Sequence, residues 1–284
     1  MKTLLIATDF SAGARHAAEY GYQLARKLMA NIVLCNAIIV PAEIPQAGMI
    51  VWPLEESDSL KQGSDQELKL LKHALEETDH TGFHPSVSCM NSSGTVATVV
   101  NDIVEAHKID LIVMGTHVSG GLSQLLLGNH AENMIDSAKI PVLLVPPGAE
   151  VSACTKIAFA TDFKQPASDL ENIYSLIPMA KFLNAEILIA HVNHEHIPQP
   201  EFEKVNKDFF TQISNKANYS RIYYTILNQG RTENGLDWLC EHEQIGMLAM
   251  VHRSRSFIGS LLTGSHTKKM ARHITIPLLV IPEN

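Results

Sequence analysis

The chain has little of what would commit it to several large classes of protein. Cysteine is scarce: Cys35, Cys89, Cys154 and Cys240 are the only four in 284 residues, and no two form a C-x-x-C pair. Neither a disulfide framework nor a cysteine-based zinc site is written into it, and reduced thiols in a reducing compartment are expected. No apolar run reaches the roughly 18 to 20 residues of a membrane span. The start, Met1-Lys2-Thr3-Leu4-Leu5-Ile6, leads straight to Asp9 instead of into a signal-peptide core. A cytoplasmic address is therefore expected, with no membrane partner. Positive charge is also short: 22 Lys and Arg against 30 Asp and Glu leave a net charge of −8, which argues against general nucleic-acid binding. No Ser-His-Asp or paired-carboxylate arrangement can be argued from spacing, so no hydrolase or transferase is expected.

What is present is repetition. Residues 109–146, IDLIVMGTHVSGGLSQLLLGNHAENMIDSAKIPVLLVP, read as an apolar strand, a glycine-bearing loop, a helix and a second apolar strand. Residues 245–282 repeat this at a constant offset of 136: Gly128 falls on Gly264, Ile140-Pro141 on Ile276-Pro277, and Pro146 on Pro282. Near the front of each copy, Ile6-Ala7-Thr8-Asp9-Phe10 matches Phe159-Ala160-Thr161-Asp162-Phe163 at an offset of 153. The chain is thus a tandem of two similar domains, 1–148 and 149–284, the second shorter in its middle. Pro146-Pro147-Gly148 marks the boundary.

Within each copy, strands and helices alternate. In the first, strands are expected at 4–7, 32–39, 84–90, 109–114 and 140–145, with helices at 12–29, 54–79, 95–107 and from Asn129. Residues 41–53, rich in proline and apolar side chains, read as a long loop of the kind that often covers a site. In the second, strands are expected at 156–160, 186–192 and 221–227, with helices at 167–183 and 232–243, a compressed middle, and the closing strand-loop-helix-strand unit of 245–282 that ends in the strand 276–281. Apolar strands alternating with helices imply an α/β fold with a mostly parallel sheet covered on both faces. In such doubly wound sheets ligands sit beyond the carboxyl ends of the strands, where strand order reverses. The residues after the first and fourth strands then become neighbours.

Ala7-Thr8-Asp9, Met114-Gly115-Thr116-His117 and Leu125-Leu126-Leu127-Gly128-Asn129 in one module resemble the universal stress protein family, and the likeness covers the whole chain. It implies two tandem flavodoxin-like domains. Many members of the family bind ATP through a loop of pattern G-x2-G-x9-G-[ST] after the fourth strand. Here the first copy reads Gly115-x2-Val118-x9-Gly128-Asn129 and the second Val251-x2-Ser254-x9-Gly264-Ser265, with spacing kept and identities partly lost. A β-branched Val118 cannot take the positive φ open to glycine, whereas Asn129 tolerates left-handed backbone and can hydrogen-bond an oxygen as serine would. The acidic residue that contacts the nucleoside in binding members falls on Asp9 and Asp162. Either aspartate could instead cap the following helix, as Gly128-Asn129 could cap its own.

The resemblance implies nucleotide binding and stress-response regulation in place of catalysis. An adenine nucleotide would lie in the first copy, with Ala7, Thr8 and Asp9 on the nucleoside, Gly115, Thr116, His117, Gly128 and Asn129 around the phosphates, and Met114 also among the nucleotide-binding residues. Because Glu132 and Asp136 face only Lys139 in that loop region, a triphosphate is expected to need Mg²⁺. A nucleotide-free scaffold and a slow ATPase are the alternatives. A second anion site is expected around Asp162, Arg253, Gly264, Ser265 and Lys268, where Arg253, Arg255, Lys268, Lys269 and Arg272 make a local +5. In the family the last strand makes the dimer contact, so the two copies are expected to pair within the chain through residues 140–145 and 276–281, with a homodimer the other use of that edge. His191-x2-His194-x-His196 reads as a solvated loop in preference to a metal site, and Cys35 and Cys89 as buried, inert thiols.

Overall fold

The structure, a computed structural model, describes residues 2–39, 54–77, 82–118, 125–126, 129–193, 202–204, 206–253 and 266–283. The loop expected at 41–53, and Gly128, His194, His196, Gly264 and Ser265, lie outside them. Strand β1 (Thr3–Ala7) leads into α1 (Ala12–Leu28), which starts where the Ser11 hydroxyl accepts the Ala14 N–H. That helix stops at Met29, whose left-handed φ of 53° turns its N–H back onto the Ala25 and Arg26 carbonyls. The first half continues through β2 (Asn31–Ile38), α2 (Leu54–Glu77), β3 (Val87–Ser93), α3 (Val96–Ala106), β4 (Leu111–Gly115), a short ladder of β5 (His117–Val118) with β6 (Leu125–Leu126), α4 (Asn129–Ser137) and β7 (Val142–Val145). After a 3₁₀ turn at Val151–Ala153, the second half runs β8 (Lys156–Ala160), α5 (Pro166–Leu183), β9 (Glu186–Val192), α6 (Lys207–Lys216), β10 (Ile222–Leu227), α7 (Thr232–His242), β11 (Met247–His252), α8 (His266–Ala271) and β12 (Leu278–Pro282).

Among the described residues, ten strands form one sheet in the order β10-β9-β8-β11-β12-β7-β4-β1-β2-β3. All neighbours are parallel except β7 and β12, which pair antiparallel through Val142↔Val280, Leu143↔Leu279 and Leu144↔Leu278. Each half is therefore the expected doubly wound five-stranded unit, and its strand order reverses between β1 and β4, or between β8 and β11. Ala7 lies opposite Met114, and Ala160 opposite Met250.

The core follows the two-residue period of the strands. Leu4 and Ile6 enter a cluster with α1, α2, α5 and α6, while Leu5 and Ala7 enter one on the other face with α3, α4, α7 and α8. Both clusters run through both halves. Fully buried side chains such as Tyr22 and Phe159 each contribute about 1.5–3 kcal/mol relative to exposure. Cys35 and Cys89 are on adjacent strands, yet they point to opposite faces, and all four cysteines are free. Burial pushes the Cys35, Cys154 and Cys240 thiols up to about 12, which keeps them unreactive.

Two elements depart from the periodicity. Strand β3 extends to Ser93 because Asn91, Ser92 and Ser93 find backbone partners in Asn36, Ala37 and Ile38, so polar residues that look like a turn are drawn into the ladder. Helix α6 lies in the compressed middle of the second half. Phe209 and Ile213, one turn apart, are buried there, and Phe209 meets the Phe163 ring edge-on at 4.9 Å between centroids.

At the crevice of the first half, Gly115 is a packing requirement. A Cβ on it would stand 2.6 Å from the Gly13 carbonyl oxygen and 2.9 Å from its carbon, both backbone atoms at the start of α1. Gly115→Ala is therefore expected to displace that helix start and cost about 1–3 kcal/mol, read as a lower urea midpoint at unchanged m-value; an unaltered midpoint would refute the close approach.

Candidate functional site

The crevice of the first half is built by the turn after β1. The Thr8 N–H donates to the Cys35 carbonyl at 2.8 Å, and its Oγ1 accepts the Phe10 N–H at 3.0 Å. Asp9 is exposed, and its Oδ1 accepts the Ser11 N–H at 3.0 Å. Asn36 secures the turn from below: its Nδ2 donates to the Thr8 carbonyl and its Oδ1 accepts the Ser64 hydroxyl, both at 2.8 Å. Asn91 Nδ2 donates to Asp65 Oδ1 at 2.7 Å and to Ser64 Oγ at 3.2 Å. A polar chain, buried at Asn36 and Ser64, thus ties the site turn to α2 and to β2 and β3.

On the other wall, Met114 is buried and Thr116 is only 3% exposed. Thr116 donates its N–H to the Val145 carbonyl at 3.0 Å, but its side-chain Oγ1 is buried with no hydrogen-bond partner among the described residues. Such an orphan is costly, and native structures hold few of them. His117 opens β5 and Asn129 is the exposed first residue of α4. The structure therefore brings Ala7, Thr8, Asp9, Met114, Gly115 and Thr116 to one crevice.

The second half makes the same turn and fills the crevice differently. Phe163 N–H donates to Thr161 Oγ1 at 2.9 Å, Lys164 N–H to Asp162 Oδ1 at 3.1 Å, and the His191 ring, in the place of Asn36, is bonded through Nδ1 to the Thr161 carbonyl at 2.9 Å. Arg253 then crosses from the end of β11. One terminal guanidinium nitrogen donates to Asp162 and the other to Asp169, both at 2.7 Å. Asp169 is 1% exposed and also accepts the Thr161 hydroxyl. Burial by itself raises both carboxyls. For Asp162 the Lys164 N–H and the Arg253 charge outweigh it and hold the group below the usual range, whereas for Asp169 burial prevails and the group stays above it.

At the expected second anion site the described cations already have acidic partners. Arg253 is committed to two carboxylates, and the Lys268 ammonium lies 2.5 Å from Asp136 of the first half. Lys269 pairs with Glu233 at 3.1 Å and Arg272 with Glu132 at 2.8 Å. Four of the five positive charges are thus already neutralised by acids more than 30 residues away in sequence, which local charge counting does not register. Gly264 and Ser265 lie outside the described residues. His191 is occupied by Phe202, stacked at 5.0 Å, and by the edge of Phe163, and among the described residues no group of three metal-ligating side chains occurs.

The sequence profile described as the universal stress protein family matches residues 1–146. The chain belongs to the universal stress protein family. Universal stress protein MJ0531 of Methanocaldococcus jannaschii is 31% identical over 144 residues, covering 51% of this chain and 81% of the relative. Universal stress protein Slr1230 of Synechocystis sp. is 24% identical over 295 residues, covering 98% of this chain and 99% of its own. The crystal structure of a universal stress protein from Archaeoglobus fulgidus superposes over 99% of this chain and 98% of that one, with a TM-score of 0.75 at 15% identity. Family and tandem fold are thereby shown for this universal stress protein.

Sequence reasoning named Asp162 and Arg253 but missed Asp169, their shared partner, and missed Asn36 and Ser64. A signal for Asp169 existed: at the offset of 153 it replaces His16, a change of charge inside an otherwise apolar helix face. Arg253→Met leaves the buried Asp169 carboxylate without its cation and is expected to cost about 3 kcal/mol at neutral pH. Because the folded-state Asp169 pKa then rises further above its unfolded value, the deficit should shrink as pH falls toward that raised value, as protonation removes the buried charge. Urea unfolding at pH 7 and pH 5 checks this; a deficit that grows on acidification would contradict it.

Proposed function

We propose that this universal stress protein binds one adenine nucleotide per chain, in the crevice of its first half, and acts as a cytoplasmic binding and regulatory protein instead of a catalyst. The observation that carries the reading is the buried Thr116 hydroxyl, just after β4, which has no partner among the described residues. A bound oxygen would satisfy it, and removing that desolvation cost on binding favours the ligand. Support also comes from the contrast between the crevices. Arg253 sits on the carboxylate of Asp162, so a nucleoside there would have to displace a 2.7 Å charge-assisted bond. Asp9, its counterpart, is exposed.

In this reading Ala7, Thr8 and Asp9 face the nucleoside, and Gly115, Thr116, His117, Gly128 and Asn129 surround the phosphates. Mg²⁺ would offset phosphate charge, with a smaller burden than local counting suggests, because Glu132 and Asp136 are paired with Arg272 and Lys268. We place the domain boundary at 148/149, where Gly148 takes a φ of 79°, open to glycine and strained for other residues. We further read the two halves as an internal pair joined at β7 and β12, in the place of a homodimer.

Calorimetric titration of ATP with Mg²⁺ is expected to give one site per chain. Thr116→Val, which keeps the shape and removes the hydroxyl, should weaken binding roughly tenfold while leaving the unliganded chain at least as stable, and Gly128→Val should abolish binding. Absent binding in the natural protein, or affinities indifferent to both substitutions, would reject the nucleotide reading in favour of a scaffold that acts through protein contacts.

A further inference from the structure

The pairing of β7 with β12 has an internal symmetry that its flanking charges break. Leu143 lies opposite Leu279, and these residues correspond at the offset of 136 that relates the copies. A pseudo-twofold axis therefore passes between them, and the contact is isologous: whatever position a of one half touches at position b of the other, position b touches at position a. Helices α4 and α8 flank the axis. Glu132 corresponds to Lys268, and Asp136 to Arg272. The contacts obey the symmetry: Arg272 donates to Glu132 through Nε at 3.0 Å and through a terminal nitrogen at 2.8 Å, and Lys268 donates to Asp136 at 2.5 Å. His252 adds a contact to Asp136 at 3.2 Å.

At each symmetric position the two halves carry opposite sign. Two first halves meeting by the same operator would set Glu132 against Asp136 twice, and two second halves would set Lys268 against Arg272 twice, in each case four like charges around an apolar strand pair. Only the unlike combination is neutral. In α8, Lys268 and Lys269 lie in the last turn, where positive charge suits the helix dipole, and they pair with Asp136 and Glu233.

We propose that these four charges form a pairing code: they make the second half of this chain the partner that fits the first half and close the β7/β12 face to homotypic association with a second copy. The proposal rests on the internal pairing read above. The apolar strands supply attraction that does not discriminate, since VLLV and LLVIP are interchangeable in character. The charges supply the discrimination, and the short connector supplies a high effective concentration of the correct partner.

The test uses the full chain in three variants: an all-acidic face (Lys268→Glu with Arg272→Asp), an all-basic face (Glu132→Lys with Asp136→Arg), and the fourfold exchange carrying both sets. Thermal unfolding at low salt should fall by about 3–6 °C in each double variant, with the loss shrinking in 1 M salt, where the Debye length is about 3 Å. The fourfold exchange should recover at least half of the loss. Losses that add in the fourfold variant, or double variants indistinguishable from the natural chain, would overturn the code. Backbone amide exchange of β7 and β12 in the natural chain separates the two failures. Protected amides with additive losses reject the code and leave the pairing intact, whereas freely exchanging amides reject the pairing itself and the code with it.

Discussion

Three backbone pairs, Val142, Leu143 and Leu144 against Val280, Leu279 and Leu278, join two five-stranded sheets into one. Each strand is apolar on both faces and short, and each would otherwise end its sheet with a row of unpaired N–H and C=O groups. Pairing them antiparallel satisfies that edge and carries both hydrophobic layers across the junction without interruption. The consequence reaches the crevices. β4 and β11 are held between a central strand and the junction strands, so Met114 and Met250 are fixed opposite Ala7 and Ala160 at the two switch points.

The two crevices share a backbone plan and differ in what fills it. Thr8 and Thr161 use their hydroxyls to fold the same turn, supported from the next strand by Asn36 in one half and His191 in the other. The difference lies in charge. A nearly buried aspartate, Asp169, draws Arg253 inward, and the guanidinium satisfies Asp162 on the way. A buried carboxylate of this kind is tolerated only with a cation in place, so the second crevice is stabilised in its filled form. In the first half the side chain at the corresponding helix position is His16, and among the described residues both its Nε2 and the Thr116 hydroxyl are buried without a hydrogen-bond partner. The second crevice thus satisfies its acids from within, through an arginine that the first crevice does not share.

Electrostatics also separates the local from the long-range reading of the basic stretch after β11. Counted along the chain it is an uncompensated +5. In space its described members meet Asp162, Asp169, Asp136, Glu233 and Glu132. Glu233 registers the result: burial alone would raise its carboxyl, yet its own N–H, His266 and Lys269 hold it down at about 2.

The sequence alone determined the repeat, the doubly wound order of each half and the meeting of residues 7–9 with 114–116. The repeat and the alternation of strand and helix follow from hydrophobic period and turn residues carried by neighbours along the chain, and the strand order is what the family resemblance implies. Even so, the ends of β3 and the presence of α6 needed partners, because Asn91 to Ser93 become strand only against β2 and Phe209 becomes core only against Phe163. What only the tertiary structure decided was the destination of the charges. Arg253 finds carboxylates 91 and 84 residues away, and Lys268 and Arg272 find theirs 132 and 140 residues away. A charge has no period and acts through space, so no window of sequence shows which site it completes and which it closes.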